Sequence, residues 1–252
     1  MSDAMVRSTG DRLTTLATTL DKYRPRLEAL LEGTGMSPAR LRSIFVGALS
    51  RAPALLDCST ASLIQVAMQG AELGLEIGGV LGEAYIVPFR NKGVKVATYM
   101  SGYKGLIKLA EQSGKVVSME ARLVRQGERF EVSYGTTPHI EHVPRFDSGA
   151  EVTHAYAVAH RLAGPPQFDI LTRAELDAIR DDAISRAYDA AKSTWTLHPG
   201  EMARKSAVRR LCKYVPLGEK ARTALEVEAM QETRPGAVSP AVEAALEGEL
   251  IE

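Results

Sequence analysis

The sequence predicts an α+β fold: N-terminal helices, a small antiparallel sheet backed by further helices, and an acidic C-terminal tail. Three observations carry this. Apolar residues recur at helical spacing through the first third of the chain, and short β-like runs separated by turn formers begin after Gly78-Gly79. Strands and helices then come mixed, without regular βαβ alternation. The 252 residues, 45% of them hydrophobic, are enough to bury a substantial core.

The elements follow in order. Leu13, Leu16, Leu20, Leu27 and Leu30 lie on one helical face, with Pro25 kinking or restarting the helix. Ser37-Pro38 supplies an N-cap and a first-turn proline for a second helix, whose stripe is Leu41, Ile44, Phe45, Ala48 and Leu49. A third helix starts at Ser59 or Thr60 and stops at Gly74, a left-handed C-cap candidate. Residues 84–89 and 94–100 flank Arg90-Asn91-Lys92-Gly93, which reads as a hairpin with a basic tip. A short helix then runs from Gly102 to Gly114. Residues 116–124 and 130–134 look like a strand pair, 152–160 like a central strand and 167–171 like a further strand. Thr172 and Glu175 form a capping box for the next helix. The last strong helix spans about 200–215 and is stopped by Pro216. Three regions result: a helical region 1–58, an α+β core 59–218, and a tail 219–252 expected to be mobile because it is acidic and holds a linker-like stretch, 233–240.

Charge and motifs exclude several function classes. Lys and Arg total 31, matching 31 Asp and Glu, so no overall field draws the chain to an anionic partner and any basic site must be local. Cys58 and Cys212 have apolar neighbours and no Cys-His metal spacing, which indicates buried thiols in a reducing compartment. The opening residues lack a signal-peptide pattern and no run is apolar enough to span a membrane, so a cytoplasmic protein is expected. His139 and His142 lie between Pro138 and Pro144 and read as loop residues rather than metal ligands. Neither a phosphate-binding Gly-x-x-x-x-Gly-Lys-Ser/Thr loop nor a Gly-x-Ser-x-Gly elbow is present, and no carboxylate set suggests a two-metal nuclease. An enzyme is not expected.

Two segments concentrate basic residues. At about 100° per residue, Lys205, Arg209 and Lys213 form one stripe of the last helix, with Arg210 and Ser206 at its edge. Ala207, Val208, Leu211, Cys212 and Val215 face the other way. A stripe of cations alone repels itself unless an anion sits on it, although a solvated helix face is the plain alternative. Lys104 and Lys108 lie four apart on the 102–114 helix, beside Tyr103, with Gly102 and Gly105 leaving room for close backbone approach. That start can offer stacking, charge and N–H donors to a phosphate, or it can be ordinary packing at a turn. Trp195 is read either as a stacking partner or as a core anchor. Arg122 and the hairpin-tip Lys92 are further basic candidates.

From about residue 55 to 216 the chain resembles the RecT family of phage single-strand annealing proteins. The landmarks are Gln69-Gly-Ala-Glu-Leu-Gly-Leu75, Gly82-Glu-Ala-Tyr-Ile-Val-Pro88, Gly102-Tyr-Lys-Gly-Leu-Ile-Lys-Leu-Ala110 and Glu120-Ala-Arg122, then Ala155-Tyr-Ala157, Ile179-Arg180 and Trp195, and finally Glu201-Met-Ala-Arg-Lys205 and Arg209-Arg-Leu-Cys-Lys-Tyr214. The resemblance implies ATP-independent binding of single-stranded DNA and annealing of complementary strands, by a homo-oligomeric ring or filament with DNA along a basic groove across subunits. It implies oligomer contacts in 1–58, a partner 5′-to-3′ exonuclease, contact with a host single-strand-binding protein, the annealed duplex as product, and Mg²⁺ as an aid to assembly or DNA binding. The implied groove residues are Tyr103, Lys104, Lys108, Arg122, Trp195, Lys205, Arg209, Arg210 and Lys213, with Lys92. The rival reading is a DNA-modifying or nucleotide-hydrolysing enzyme using the same basic face.

Overall fold

The computed structural model describes residues 8–91, 93–145, 149–187, 189–239 and 242. In chain order the first elements are α1 (Thr9–Lys22), α2 (Arg24–Leu31), α3 (Pro38–Arg51), a 3₁₀ turn (Pro53–Asp57), α4 (Thr60–Leu73), β1 (Ala84–Asn91), β2 (Val94–Ser101) and α5 (Tyr103–Gln112). Then come β3 (Val116–Arg125), β4 (Arg129–Ser133), β5 (His139–Val143), β6 (Val152–Arg161), β7 (Gln167–Thr172), α6 (Arg173–Ser185), α7 (Thr194–Leu197), α8 (Pro199–Leu211) and α9 (Glu219–Thr233). Two compact units result, Met1–Leu106 with Glu219–Glu252 and Ile107–Gly218.

The first unit is built around α4. Ser59 caps its start by accepting from the Ser62 N–H, and Gly74 ends it in the left-handed conformation at φ 68°. Almost every residue between Ser62 and Gly70 is buried because α2, α3, α9 and β2 pack around the helix. The expected hairpin is present, with Ala84 opposite Ser101 and Asn91 opposite Val94. Pro25 falls in the first turn of α2, so it restarts the chain as a new helix after α1, as the sequence allowed. Packing is continuous across residue 58, the expected regional boundary, since α4 lies against the helices before it.

The tail expectation needs correction. Residues 219–233 form α9, which packs against β2 and α4 and buries Ala221, Ala224, Glu228 and Gln231. Glu228 Oε1 accepts the Ser101 backbone N–H at 2.8 Å, the Pro235 carbonyl accepts from Asn91 Nδ2 at 3.3 Å, and Gln65 Oε1 accepts the Ser239 N–H at 3.0 Å. A segment whose polar groups are matched in this way is held in place despite its acidity. The final acidic residues, 243–252, lie outside the described residues.

In the second unit the central sheet has the order β3-β6-β7, all antiparallel. Residues 116–124 and 130–134 do not pair with each other, contrary to expectation. β3 pairs with β6, while β4 pairs with β5, so His139 and His142 belong to a strand rather than a loop. Period-two alternation then sorts the sheet faces. Ala155, Ala157 and Ala159, all fully buried, line one face of β6, where small side chains let α8 approach. Tyr156 and Val158, with Val124 of the neighbouring β3, line the other, where Phe130 of β4 and Ile140 of β5 cover them. Thr172 and Glu175 form the expected capping box at α6. Both cysteines are buried thiols.

Candidate nucleic-acid interface

The start of α5 lies in the first unit. Gly102 donates its N–H to the Glu83 carbonyl at 2.8 Å. A Cβ at Gly102 would stand 2.1 Å from the Gly82 oxygen, and one at Gly105 would stand 2.1 Å from the Glu83 oxygen. Both positions therefore require glycine because the backbone of residues 82–83 runs directly against the helix start. The glycines seat a loop rather than leaving the helix end open, which revises the expected reason for them. Lys104 is exposed, while Tyr103 and Lys108 are half-buried. Tyr85 is 46% exposed, and its ring and the Lys104 stem both border Gly82. No spacing rule in the sequence places Tyr85 beside Lys104.

On α8 of the second unit, the expected cationic stripe survives only in part. Ala203, Ala207, Leu211, Val208 and Lys205 are buried and span an arc of about 200° on the helix. Lys205 sits at one edge of that arc and is only 8% exposed. Arg210 sits just past the other edge and is committed to carboxylates: Nη1 donates to Glu175 Oε1 at 2.5 Å, and Nε lies 3.3 Å from Asp169 Oδ2. Glu175 is held down to about 2 by the Thr172 backbone N–H and the Arg210 guanidinium. A helical wheel with a single apolar face misses this because α8 is covered by sheet and helices through more than half a turn. Arg209, half-buried, turns toward the remaining side, while Lys213 is exposed in the turn beyond Leu211, where the helix ends short of the expected residue 215. Arg204 falls within the buried arc of the helix but ends 29% exposed, with its guanidinium 2.5 Å from Glu201.

The other candidates are dispersed. Arg122 is exposed on β3 and paired with Glu120 at 2.7 Å, so its charge is largely matched on its own strand. Trp195 is 5% exposed and forms, with Leu176, Ala203 and Gly200, the wall of a cavity of about 280 Å³. This burial corresponds to the core-anchor alternative. Lys92 lies outside the described residues.

His142 has an unforeseen role. Its Nε2 lies 3.0 Å from Glu128 Oε2 and its Nδ1 lies 3.2 Å from the Tyr156 hydroxyl, with Phe130 packed edge-on at 5.7 Å. Burial acts to raise the Glu128 pKa, but the Arg125 N–H, His142 and the Arg145 N–H outweigh it and hold the group below its ordinary value. These contacts clasp the β4-β5 hairpin to β6. Among the described residues no set of three or more His, Cys, Asp or Glu could hold a metal ion, and no helix is long and apolar enough to cross a membrane.

Two comparisons bear on what such a chain is. The RecT family profile matches residues 39–238. Protein RecT of Escherichia coli (strain K12) is 37% identical over 218 residues, covering 85% of this chain and 78% of that relative. The matched residues run from α3 through α9 and include both basic segments. On the extent of that match and the shared sequence, the chain belongs to the RecT family.

Proposed function

We propose that the protein binds single-stranded DNA without ATP and anneals it to a complementary strand during phage-type recombination, acting as a ring or filament of identical subunits. The family match over residues 39–238 carries this reading. Annealing needs no covalent step: the bases supply the pairing energy, while the protein neutralises phosphates and holds strands extended. The cations suited to this work are Lys104 and Lys108 on α5, Arg209 on α8 and Lys213 in the turn that follows it. Lys205 and Arg210 support the α8 scaffold instead. Mg²⁺ would aid assembly or DNA binding, and a 5′-to-3′ exonuclease and a host single-strand-binding protein would supply and release the substrate strand.

The test uses two complementary oligonucleotides carrying a fluorescence-transfer pair, mixed with the protein in the absence of ATP. Duplex formation faster than in protein-free controls is expected. No acceleration overturns the proposal, and strand cleavage or nucleotide turnover would favour an enzyme. Electron microscopy with and without annealed DNA checks the ring or filament.

A further inference from the structure

The first unit displays an apolar tip that its own packing does not use. Val80 is 97% exposed and Leu81 is 48% exposed. They crown a short loop whose base is firmly closed. Gly78 donates its N–H to the Ala84 carbonyl at 2.7 Å, Ala84 donates to the Glu76 carbonyl at 3.2 Å, and Arg51 Nη2 donates to the Gly78 carbonyl at 2.7 Å. Inside the loop, the buried Glu83 carboxylate accepts the Glu76 N–H at 2.9 Å. Gly78 and Gly82 both have positive φ, 66° and 68°, so the turn that projects the two side chains is built into the backbone.

What surrounds the tip indicates what it meets. Tyr85 Oη is 2.8 Å from the point a Cβ would occupy on Gly82, and Lys104 Cδ is 3.9 Å from the same point. The phenol ring and the lysine stem therefore border Gly82, the residue that directly follows the two exposed aliphatic side chains. Flat apolar faces joined by anionic links match that combination, which describes a single strand of nucleic acid with its bases unstacked. The adjoining Lys104 is exposed and favours an anionic ligand over a purely apolar partner face.

We propose that the 78–82 loop and Tyr85 form a base-contacting element, with Val80 and Leu81 wedged against bases while Lys104 takes the neighbouring phosphate. This assignment rests on the single-strand-binding reading above. Wedges of this kind hold bases apart by surface contact and carry no sequence preference, which suits a protein that must anneal any sequence.

The test uses the full chain and an oligothymidylate carrying one 2-aminopurine. Val80→Ser combined with Leu81→Ser removes the tip; both side chains are exposed, and a thermal melt checks that the fold persists. The expected result is loss of the 2-aminopurine emission change with about tenfold weaker binding, while the salt dependence of affinity stays as in the wild type because every phosphate remains neutralised. Lys104→Ala should show the complementary pattern, a salt slope reduced by about 0.7 with the emission change retained. A double variant with wild-type affinity and emission change overturns the assignment. So does a variant that loses self-association in sedimentation without DNA while each protomer still binds the strand normally, since the tip would then be a subunit contact. If the wild type binds no single strand at all, the function proposed above fails and the assignment fails with it.

Discussion

Arg210 of α8 and Glu175 of α6 meet at 2.5 Å, and the same carboxylate accepts the Thr172 N–H that opens α6. One glutamate thus caps a helix and anchors the arginine of its neighbour, while Asp169 on β7 takes the other side of the guanidinium. The charge of Arg210 is neutralised inside the second unit.

The cations of α8 should separate by function. Arg210→Ala should lower stability by about 1 kcal/mol, discounted for its partial exposure, and leave the salt dependence of DNA binding unchanged. Lys205→Ala should likewise act mainly on stability. Lys213→Ala, in the exposed turn after α8, should leave the melting temperature near wild type and reduce the salt slope by about 0.7 for the phosphate no longer neutralised. Chemical denaturation and binding titrations at several salt concentrations check both halves.

The Glu175 carboxylate makes stability depend on acid. Its folded pKa is depressed to about 2, so its contribution is fully present above the ordinary carboxylate value and is lost as pH falls through about 2. Glu175→Gln should therefore be less stable than wild type at neutral pH, with the gap closing between about pH 4.5 and pH 2. Urea midpoints measured for both proteins across that window test the sign.

Glycine positions should differ by mechanism. Gly102→Ala and Gly105→Ala force a methyl group to within 2.1 Å of a backbone oxygen, so the loop at 82–83 must move, at a cost of roughly 2–3 kcal/mol. Gly114→Ala meets nothing within 4 Å but has φ 68°, so its cost should be about 1–2 kcal/mol from backbone strain alone. Urea unfolding of the three variants should give that order.

Glu228→Ala removes the acceptor of the buried Ser101 N–H and should destabilise the first unit by about 1–3 kcal/mol. Hydrogen exchange provides a sharper readout: protection should fall at Ser101 and along α9, while the β3-β6 ladder keeps its protection.

Local chemistry makes much of this fold legible. The caps of α3, α4 and α6 and the hairpin turn are each written in a few adjacent residues, and each stands where its signal lies. Strand partners are not legible, because β3 chooses β6 over the nearer β4 through sheet faces formed far along the chain. The helix at 219–233 is hidden for a related reason: its buried face consists of alanines, Glu228 and Gln231, which give no apolar stripe. Within the candidate interface, spacing locates the basic segments but cannot show that Lys205 is buried or that Arg210 already has two carboxylate partners.

The bond between Ser101 and Glu228 spans 127 residues of chain. During synthesis at roughly 5–20 residues per second, the Ser101 N–H waits about 6 to 25 s for its acceptor to emerge. Throughout that interval the β1-β2 hairpin has no α9 against it, while all of Ile107–Gly218 is translated and can close on its own contacts. Helix α9 thus completes the first unit begun, so a nascent chain carries an unfinished sheet edge until Glu228 has been made.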